Sequence, residues 1–525
     1  MKRILSIFLF LSVSLFAQKI PLDYNLGPNR FLKTQDQTPA SNTIEKILIQ
    51  DNVVWLATSK GLSKSTDNGA SWINYYGIKE FGEESISSLG YNNGTIWAST
   101  WHYENKLGGN IPVGTGLKYS TNQGQTWQEI PQPVDNPGDS IIIYGINKIR
   151  ALPVTVSEQN FIYDIAFTKN TIWIATFAGG LRKSTDTGKT WQRVILPPDN
   201  LNSIKPTDTL KFSLQPAAGK FGPESYLNHR AFSILAVDDS TIYAGTAGGI
   251  NKSTDGGVSW IKFTRTNQLK PITGNFILSL KKNDFDNSIW AATWKAEGQT
   301  EFWGTSTSKD GGLSWENYLS GERVRDFGFK YFGNPDAYTG ADIFAASENG
   351  LFRTSNNGTT WIAAPAIKDD SSSVGINTKR FLSVEVNRRS DNSTDIWLGS
   401  DNGLARLNET DGFWNGKWKI FLASEKLAST SETYAFPNPF SPDEERIRIK
   451  YSTSQPSNVT IRIFDFGMNL VRTVIQNAPR DARDEQIEMW DGKDESGKIV
   501  PNGVYFYRID LGSNEPLFGK IMVLM

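Results

Sequence analysis

The sequence predicts an all-β protein, and three observations carry the prediction. An eight-residue box recurs six times, a second-strand pattern recurs seven times, and a Gly- and Trp-rich chain of 525 residues lacks long apolar helical periodicity. The box is Ser65-Thr66-Asp67-Asn68-Gly69-Ala70-Ser71-Trp72. The pattern Ser/Thr-x-Asp/Asn-x-Gly-x-Ser/Thr-Trp opens again at Ser120, Ser184, Ser253, Ser308 and Thr354. It reads as a hairpin turn. Ser and Asp side chains bond nearby backbone N–H groups, Gly supplies φ > 0, and the Trp starting the next strand offers an apolar face. On this reading Asp67, Asn122, Asp186, Asp255, Asp310 and Asn356 stabilise turns, the two Asn doing so without charge.

Taken in order, residues 1–17 form a leader: Lys2 and Arg3 precede an apolar run over residues 4–16, with Ala17 as a small residue for cleavage. No other stretch is expected to cross a membrane. Residues 18–42 are a polar lead-in segment. Residues 43–424 repeat one unit, for which blade one is the template: strands at Lys46-Ile47-Leu48-Ile49, Val53-Val54-Trp55-Leu56-Ala57-Thr58, Gly61-Leu62-Ser63-Lys64-Ser65 and Ser71-Trp72-Ile73-Asn74-Tyr75. The second-strand aromatic recurs as Trp55, Trp97, Trp173, Tyr243, Trp290, Phe344 and Trp397. A hydroxyl follows three residues later (Thr58, Thr100, Thr176, Thr246, Thr293, Ser347, Ser400), and a Gly opens the next strand (Gly61, Gly116, Gly180, Gly249, Gly304, Gly350, Gly403). Each series counts seven, which predicts a seven-bladed β-propeller with the aromatics filling the space between blades.

A Ser/Thr-rich linker over residues 425–433 leads to residues 434–525. There Pro-rich 436–442 precedes alternating strands at 447–451, 459–465, 490–494, 501–509 and 519–525, which predicts a small immunoglobulin-like β-sandwich.

Spacing also locates a variable face. From the second-strand aromatic to the Gly is six residues in blades one, four, six and seven, but nineteen in blade two and fourteen in blade five. The connectors at about 129–160 and 193–228 are long as well. In a propeller the turn between strands two and three shares a face with the blade connectors, and the box turns lie opposite. The insertions are therefore expected to converge on one mouth of the ring, where binding concentrates.

Two resemblances follow from these residues. The six boxes resemble the Asp-box (bacterial neuraminidase repeat) of sialidases, xyloglucanases and sortilin-type receptors, in which the box is a structural turn remote from the active site. Phe436-Pro437-Asn438-Pro439-Phe440, Trp490-Asp491-Gly492, Pro501-Asn502-Gly503-Val504-Tyr505 and Lys520-Ile521-Met522-Val523-Leu524 resemble the type IX secretion C-terminal sorting domain, related to the flagellar hook-cap immunoglobulin-like domain. That likeness implies export by the leader and then passage across the outer membrane through the type IX machinery, leaving the propeller secreted or on the cell surface.

Net charge near zero and no basic run exclude nucleic acid as a partner. No Cys and two His exclude thiolate chemistry and a multi-His metal site, and no cofactor is expected. Blade two's insertion holds Trp101, His102, Tyr103 and Glu104; blade five's holds Trp294, Lys295, Glu297, Glu301 and Trp303. Aromatic platforms beside carboxylates suit sugar rings, and a carboxylate pair across a cleft suits glycoside hydrolysis. Glu301, Asp164 and Asp326 are the candidate acids, the last two facing the channel or pairing with Arg230 or Arg323. A sialidase needs three arginines on one carboxylate, for which Arg150, Arg230 and Arg380 are available. The reading is a monomeric, exported, non-catalytic binding module for a glycan or surface protein. The alternative is a xyloglucanase- or sialidase-like glycoside hydrolase.

Overall fold

The computed structural model describes residues 38–106, 108–215, 226–370, 374–389, 393–410, 412–423, 427, 429, 431–436, 438–442, 446–512 and 515–525. The leader, residues 18–37 of the lead-in segment and parts of the linker lie outside them. The chain is all-β, with one short 3-10 turn at Leu227–His229. Seven antiparallel sheets follow one another, each built on four strands in chain order. Their first strands are Ile44–Gln50, Ser85–Asn92, Ile162–Thr168, Ala231–Ala236, Phe276–Lys282, Val324–Asn334 and Phe381–Arg388. Each first strand lies against the next, and that of blade seven lies against that of blade one, so the ring closes.

Among the described residues no strand is exchanged at the closure. Blade seven and blade one meet through side chains, with Trp72 edge-on to Trp397 at 6.4 Å and Phe421 stacked on Trp397 at 5.6 Å. Asn42 seals the joint, its carbonyl accepting from Gly403 N at 2.7 Å and its Oδ1 from Ala423 N at 2.8 Å. All seven second-strand aromatics are buried.

The repeated polar residues do two local jobs. In the first turn type, Ser65 Oγ donates to Asp67 Oδ1 and accepts from Gly69 N, both at 2.8 Å, while Asp67 Oδ1 accepts from Ser71 N at 2.8 Å. The other five boxes repeat this, as in Thr354, Asn356, Gly358 and Thr360. In the second turn type, the second-strand hydroxyl donates to the carbonyl of the Gly that opens the third strand: Thr58 to Gly61 at 2.7 Å, Thr246 to Gly249 at 2.9 Å, Ser400 to Gly403 at 2.7 Å.

The box glycine also sets the blade spacing. Gly69 has φ +87°, and a Cβ there would fall 2.6 Å from Phe421 of blade seven. Gly257 (φ +81°) would likewise meet Trp173 of blade three at 2.5 Å. Each box turn thus rests on side chains of the blade before it, rings in five boxes and Ile130 under Gly188, an approach only Gly permits.

Two long connectors differ from expectation. Only part of the first, around Ser157 and Glu158, lies against the blade-two insertion; the rest folds with the second as a sheet of Ile141–Tyr144, Asn147–Ala151 and Ser213–Leu214, while Ser203–Ile204 adds a fifth strand to blade four beside Trp260–Phe263. Tyr144, Ile149, Ile204 and Leu214 bury with Trp173 and Trp260, and Tyr144 Oη donates to Val258 O in blade four's box at 2.7 Å. The reason is apolar content: these connectors carry enough buried side chain to cover the outer flank of blades three and four.

The C-terminal residues form two packed sheets. One holds Tyr434–Phe436, Ile447–Thr453 and Arg483–Trp490; the other holds Leu470–Arg480, Ser457–Phe464, Gly503–Asp510 and Leu517–Val523. Phe440, Tyr451, Ile461, Trp490, Tyr507 and Ile521 share the core. The segment expected as a strand at 490–494 is the end of one strand and a turn, in which Trp490 Nε1 donates to Lys493 O at 2.9 Å. Arg448 Nη2 donates to Asn402 O of blade seven at 2.8 Å.

Candidate mouth and channel site

All seven first strands carry a register shift at the same place, between Ile44 and Lys46 and at the equivalent points in the other six. The bulged residues are Glu45, Ser87, Tyr163, Phe232, Leu278, Arg325 and Leu382. A bulge re-aims its side chain, and each shift lies where the first strand pairs with the end of the second, at the connector-bearing end of the ring. Tyr163 of blade three lies 4.9 Å from Phe232 of blade four.

These rings belong to a longer arc. Trp101 stacks on Phe161 at 4.9 Å, Phe161 lies 4.2 Å from Tyr163, Phe232 lies 4.4 Å from Phe276, and Phe276 lies 6.2 Å from Trp294. Four blades contribute. Arg230 sits 5.6 Å from the Phe177 ring, which itself touches Phe232. At the blade-five end Trp294 Nε1 donates to Val324 O at 2.6 Å and faces Arg325 at 5.5 Å, while Arg323 lies 4.5 Å from the Trp303 ring.

Charge continues the arc over blades six, seven and one. Glu348 accepts from Arg325 Nη2 at 2.7 Å and from Arg323 Nη1 at 3.1 Å. Arg380 approaches Glu348 at 3.9 Å and Asp401 at 3.7 Å, beyond hydrogen-bond distance. Burial pushes Glu348 up, but its bonds to Arg325 and Arg323 outweigh this and hold it below the usual carboxylate range. Burial raises Glu45 despite Arg325 and Arg380, and raises Asp401 despite its bond to Thr378.

Below the mouth, first-strand side chains of blades one, three, five, six and seven meet one another, which is possible only on the axis. Lys46 Nζ donates to Asp164 Oδ1 at 2.7 Å, and Asp164 also accepts from Ile234 N at 3.1 Å. Lys281 lies 3.8 Å from Asp326 and 3.6 Å from Glu385, and Asp326 accepts from Val384 N at 3.3 Å. Of the two settings expected for Asp164 and Asp326, the channel or a pairing with Arg230 or Arg323, the channel is the one found, with Lys46 and Lys281 as their cationic partners. Burial alone would lower Lys281, but the Asp326 and Glu385 carboxylates hold it above the ordinary lysine range. Burial raises Glu385, with Lys281 opposing.

The remaining candidates have structural settings. Glu301 is buried and accepts from Asn275 N, Asn275 Nδ2, Ala296 N and Gly298 N at 2.7–3.1 Å, so it clamps the blade-five loop. Blade two's insertion is a continuation of strands Thr95–Lys106 and Gly109–Ser120. On it His102 lies between Glu84 at 2.9 Å and Glu104 at 3.1 Å, and Lys106 joins Glu104 and Glu158, each at 2.6 Å. That ion-pair chain fixes the hairpin to the blade-two connector. Glu297 is exposed. Arg150 is on the accessory sheet, Arg230 beside Phe177 and Arg380 in the charged cluster, so the three arginines do not share one carboxylate in this arrangement. Among the described residues no group of three or more His, Asp or Glu is placed to hold a metal ion, and no helix is long and apolar enough to cross a membrane. Sequence reasoning missed Phe161, just before blade three's first strand, and Tyr163, Phe232, Phe276, Arg325 and Glu385, which sit on ordinary scaffold strands. The bulge that aims three of them leaves no compositional mark.

No protein-family model and no curated protein matches the chain. Among solved structures it is similar to an ancestral GH74 enzyme, at 14% identity and TM-score 0.52 over 93% of this chain and 63% of that one. It is also similar to PorZ, a bacterial surface component of the type IX secretion system of Porphyromonas gingivalis, at 12% identity and TM-score 0.40 over 91% of this chain and 64% of that one. YCF48 bound to D1 peptide aligns at 14% identity and TM-score 0.41 over 72% of this chain and 96% of that one. The chain thus spans less than two thirds of the length of the first two. At such identities the likeness to the GH74 structure shows the fold alone, and that fold is a β-propeller.

Proposed function

We propose that this protein is a monomeric propeller of the Asp-box type, secreted or displayed at the cell surface, that binds a glycan at its connector-bearing mouth without turning it over. The observation that carries the reading is the aromatic arc from Trp101 to Trp294, continued by the arginines of blades six and seven. Ring faces suit the C–H faces of sugars, and guanidinium groups suit their oxygens. The leader and the motifs of residues 434–525 support export through the type IX machinery, with the C-terminal domain as sorting signal. Asp164 and Asp326 are engaged by lysines and backbone N–H groups, and Glu301 by four N–H donors, which argues against a free acid–base pair.

The test is a screen of the secreted protein on glycan arrays and chromogenic glycosides. Retention without turnover, lost in Trp294→Ala, is the expected result; retention by no glycan would overturn it. One observation favours hydrolysis as a second reading: Glu385, raised by burial, shares Lys281 with Asp326 in the channel. Turnover abolished by Glu385→Gln or Asp326→Asn would establish that reading instead.

A further inference from the structure

Resting on the reading of the mouth as a glycan site, we propose that its ligand is a carboxylated polysaccharide, a uronic-acid polymer, whose carboxylates pair with Arg323 and Arg380. The argument begins with donor accounting. A guanidinium carries five N–H donors. Arg325 directs both Nε and Nη2 at Glu348 Oε1, at 3.3 and 2.7 Å, and faces Trp294. It is committed to the scaffold. Arg323 gives Glu348 a single N–H, and its side chain stays 45% exposed. Arg380 is 46% exposed, and its guanidinium meets both neighbouring carboxylates outside hydrogen-bond distance. Two cations at the mouth therefore keep most of their donors for a ligand.

Their position selects the ligand chemistry. Arg323 lies over Trp303 at 4.5 Å and near Trp294 at 5.9 Å, so its guanidinium borders the end of the aromatic arc. A ligand that sets a planar anion beside a stackable ring satisfies both features at once, and a uronic acid does so at every sugar. A carboxylate matches the guanidinium edge in a bidentate pair, which a hydroxyl cannot do. An acidic protein segment would satisfy the arginines, but it leaves the row of rings across four blades without a matching series of flat partners.

The test compares polygalacturonate with the same polymer after carboxyl reduction, by calorimetric titration of the full secreted chain at low and high salt. The expected result is at least about tenfold tighter binding of the acidic polymer, weakening as salt rises. The double variant Arg323→Gln/Arg380→Gln should lose at least about tenfold for the acidic polymer and a clearly smaller factor for the reduced one. Both residues are exposed, so folding is secure, and matching thermal midpoints verify it. Equal binding of the two polymers, or acidic binding indifferent to the double variant, would overturn this proposal and leave the glycan reading standing. If neither polymer binds while a neutral glycan is retained, the result is the same. Retention of no glycan, with capture of an acidic peptide instead, would overturn both.

Discussion

Arg406, in the third strand of blade seven, lies over Trp397 at 5.6 Å and donates from Nη1 to the Asn68 carbonyl in the turn of blade one. The same latch joins other blades: Lys64 over Trp55 reaches Gln123 O at 2.7 Å, and Lys252 over Tyr243 reaches Gly311 O at 2.9 Å. At the closure the latch joins residues 338 apart in sequence. Arg406→Ala should therefore lower stability by about 1.5–3 kcal/mol, the worth of a charged hydrogen bond. Denaturant titration checks it, and an unchanged midpoint would show that the latch is idle.

The box glycine is expected to be intolerant for reasons of space as well as φ. Gly69→Ala meets Phe421 and should cost about 1–3 kcal/mol beyond backbone strain. Gly77 has φ +76° and nothing within 4 Å, so Gly77→Ala carries the strain alone. Equal midpoints for the two variants would remove the packing role.

Blades six and seven are tied by a buried guanidinium. Arg353 bonds Asp342 and Glu409, and Glu409 also accepts from Lys330 at 2.6 Å. Arg353→Ala leaves two buried carboxylates short of a partner and should cost about 3–5 kcal/mol. Arg353→Ala with Asp342→Asn and Glu409→Gln should recover part of the loss; no recovery would show that packing against Phe344 and Phe413 dominates.

The box acids predict an acid-labile rim. Bonds from Thr190 and Ser184 hold Asp186 down to about 2; in Asp310 burial opposes, but bonds from Ser314 and Ser308 prevail and also give about 2. Groups depressed in the folded state stabilise it above their unfolded value, near 4, and lose that contribution as pH falls toward 2. Stability measured across that window should drop, and Asp186→Asn/Asp310→Asn should flatten the drop. An equally steep fall in the double variant would place the titration elsewhere.

The ring was legible because its parts repeat: seven aromatics, seven hydroxyls and six boxes each mark the same point of the unit. Insertion length singled out Trp101, Trp294 and Trp303; the structure places the first two at the ends of the arc and Trp303 beside Arg323. What lay between them was illegible. Phe161, Tyr163 and Phe232 read as core in a strand pattern, and only the register shift turns the last two toward each other at the mouth. The channel pairs were hidden by distance, since Lys46 and Asp164 are 118 residues apart and a single strand gives no cue to a partner two blades away. The accessory sheet was hidden by brevity: Ile141–Tyr144 and Ser213–Leu214 are short runs among turn residues.

The claim that the connector-bearing mouth is the binding face is tested most directly by hydroxyl-radical footprinting of the full secreted chain with and without polygalacturonate. Protection is expected at Trp101, Tyr103, Trp294 and Trp303, with Trp191, Trp361 and the exposed Leu313 of the box turns unchanged. Protection of those box residues, with the arc still reactive, would contradict the account.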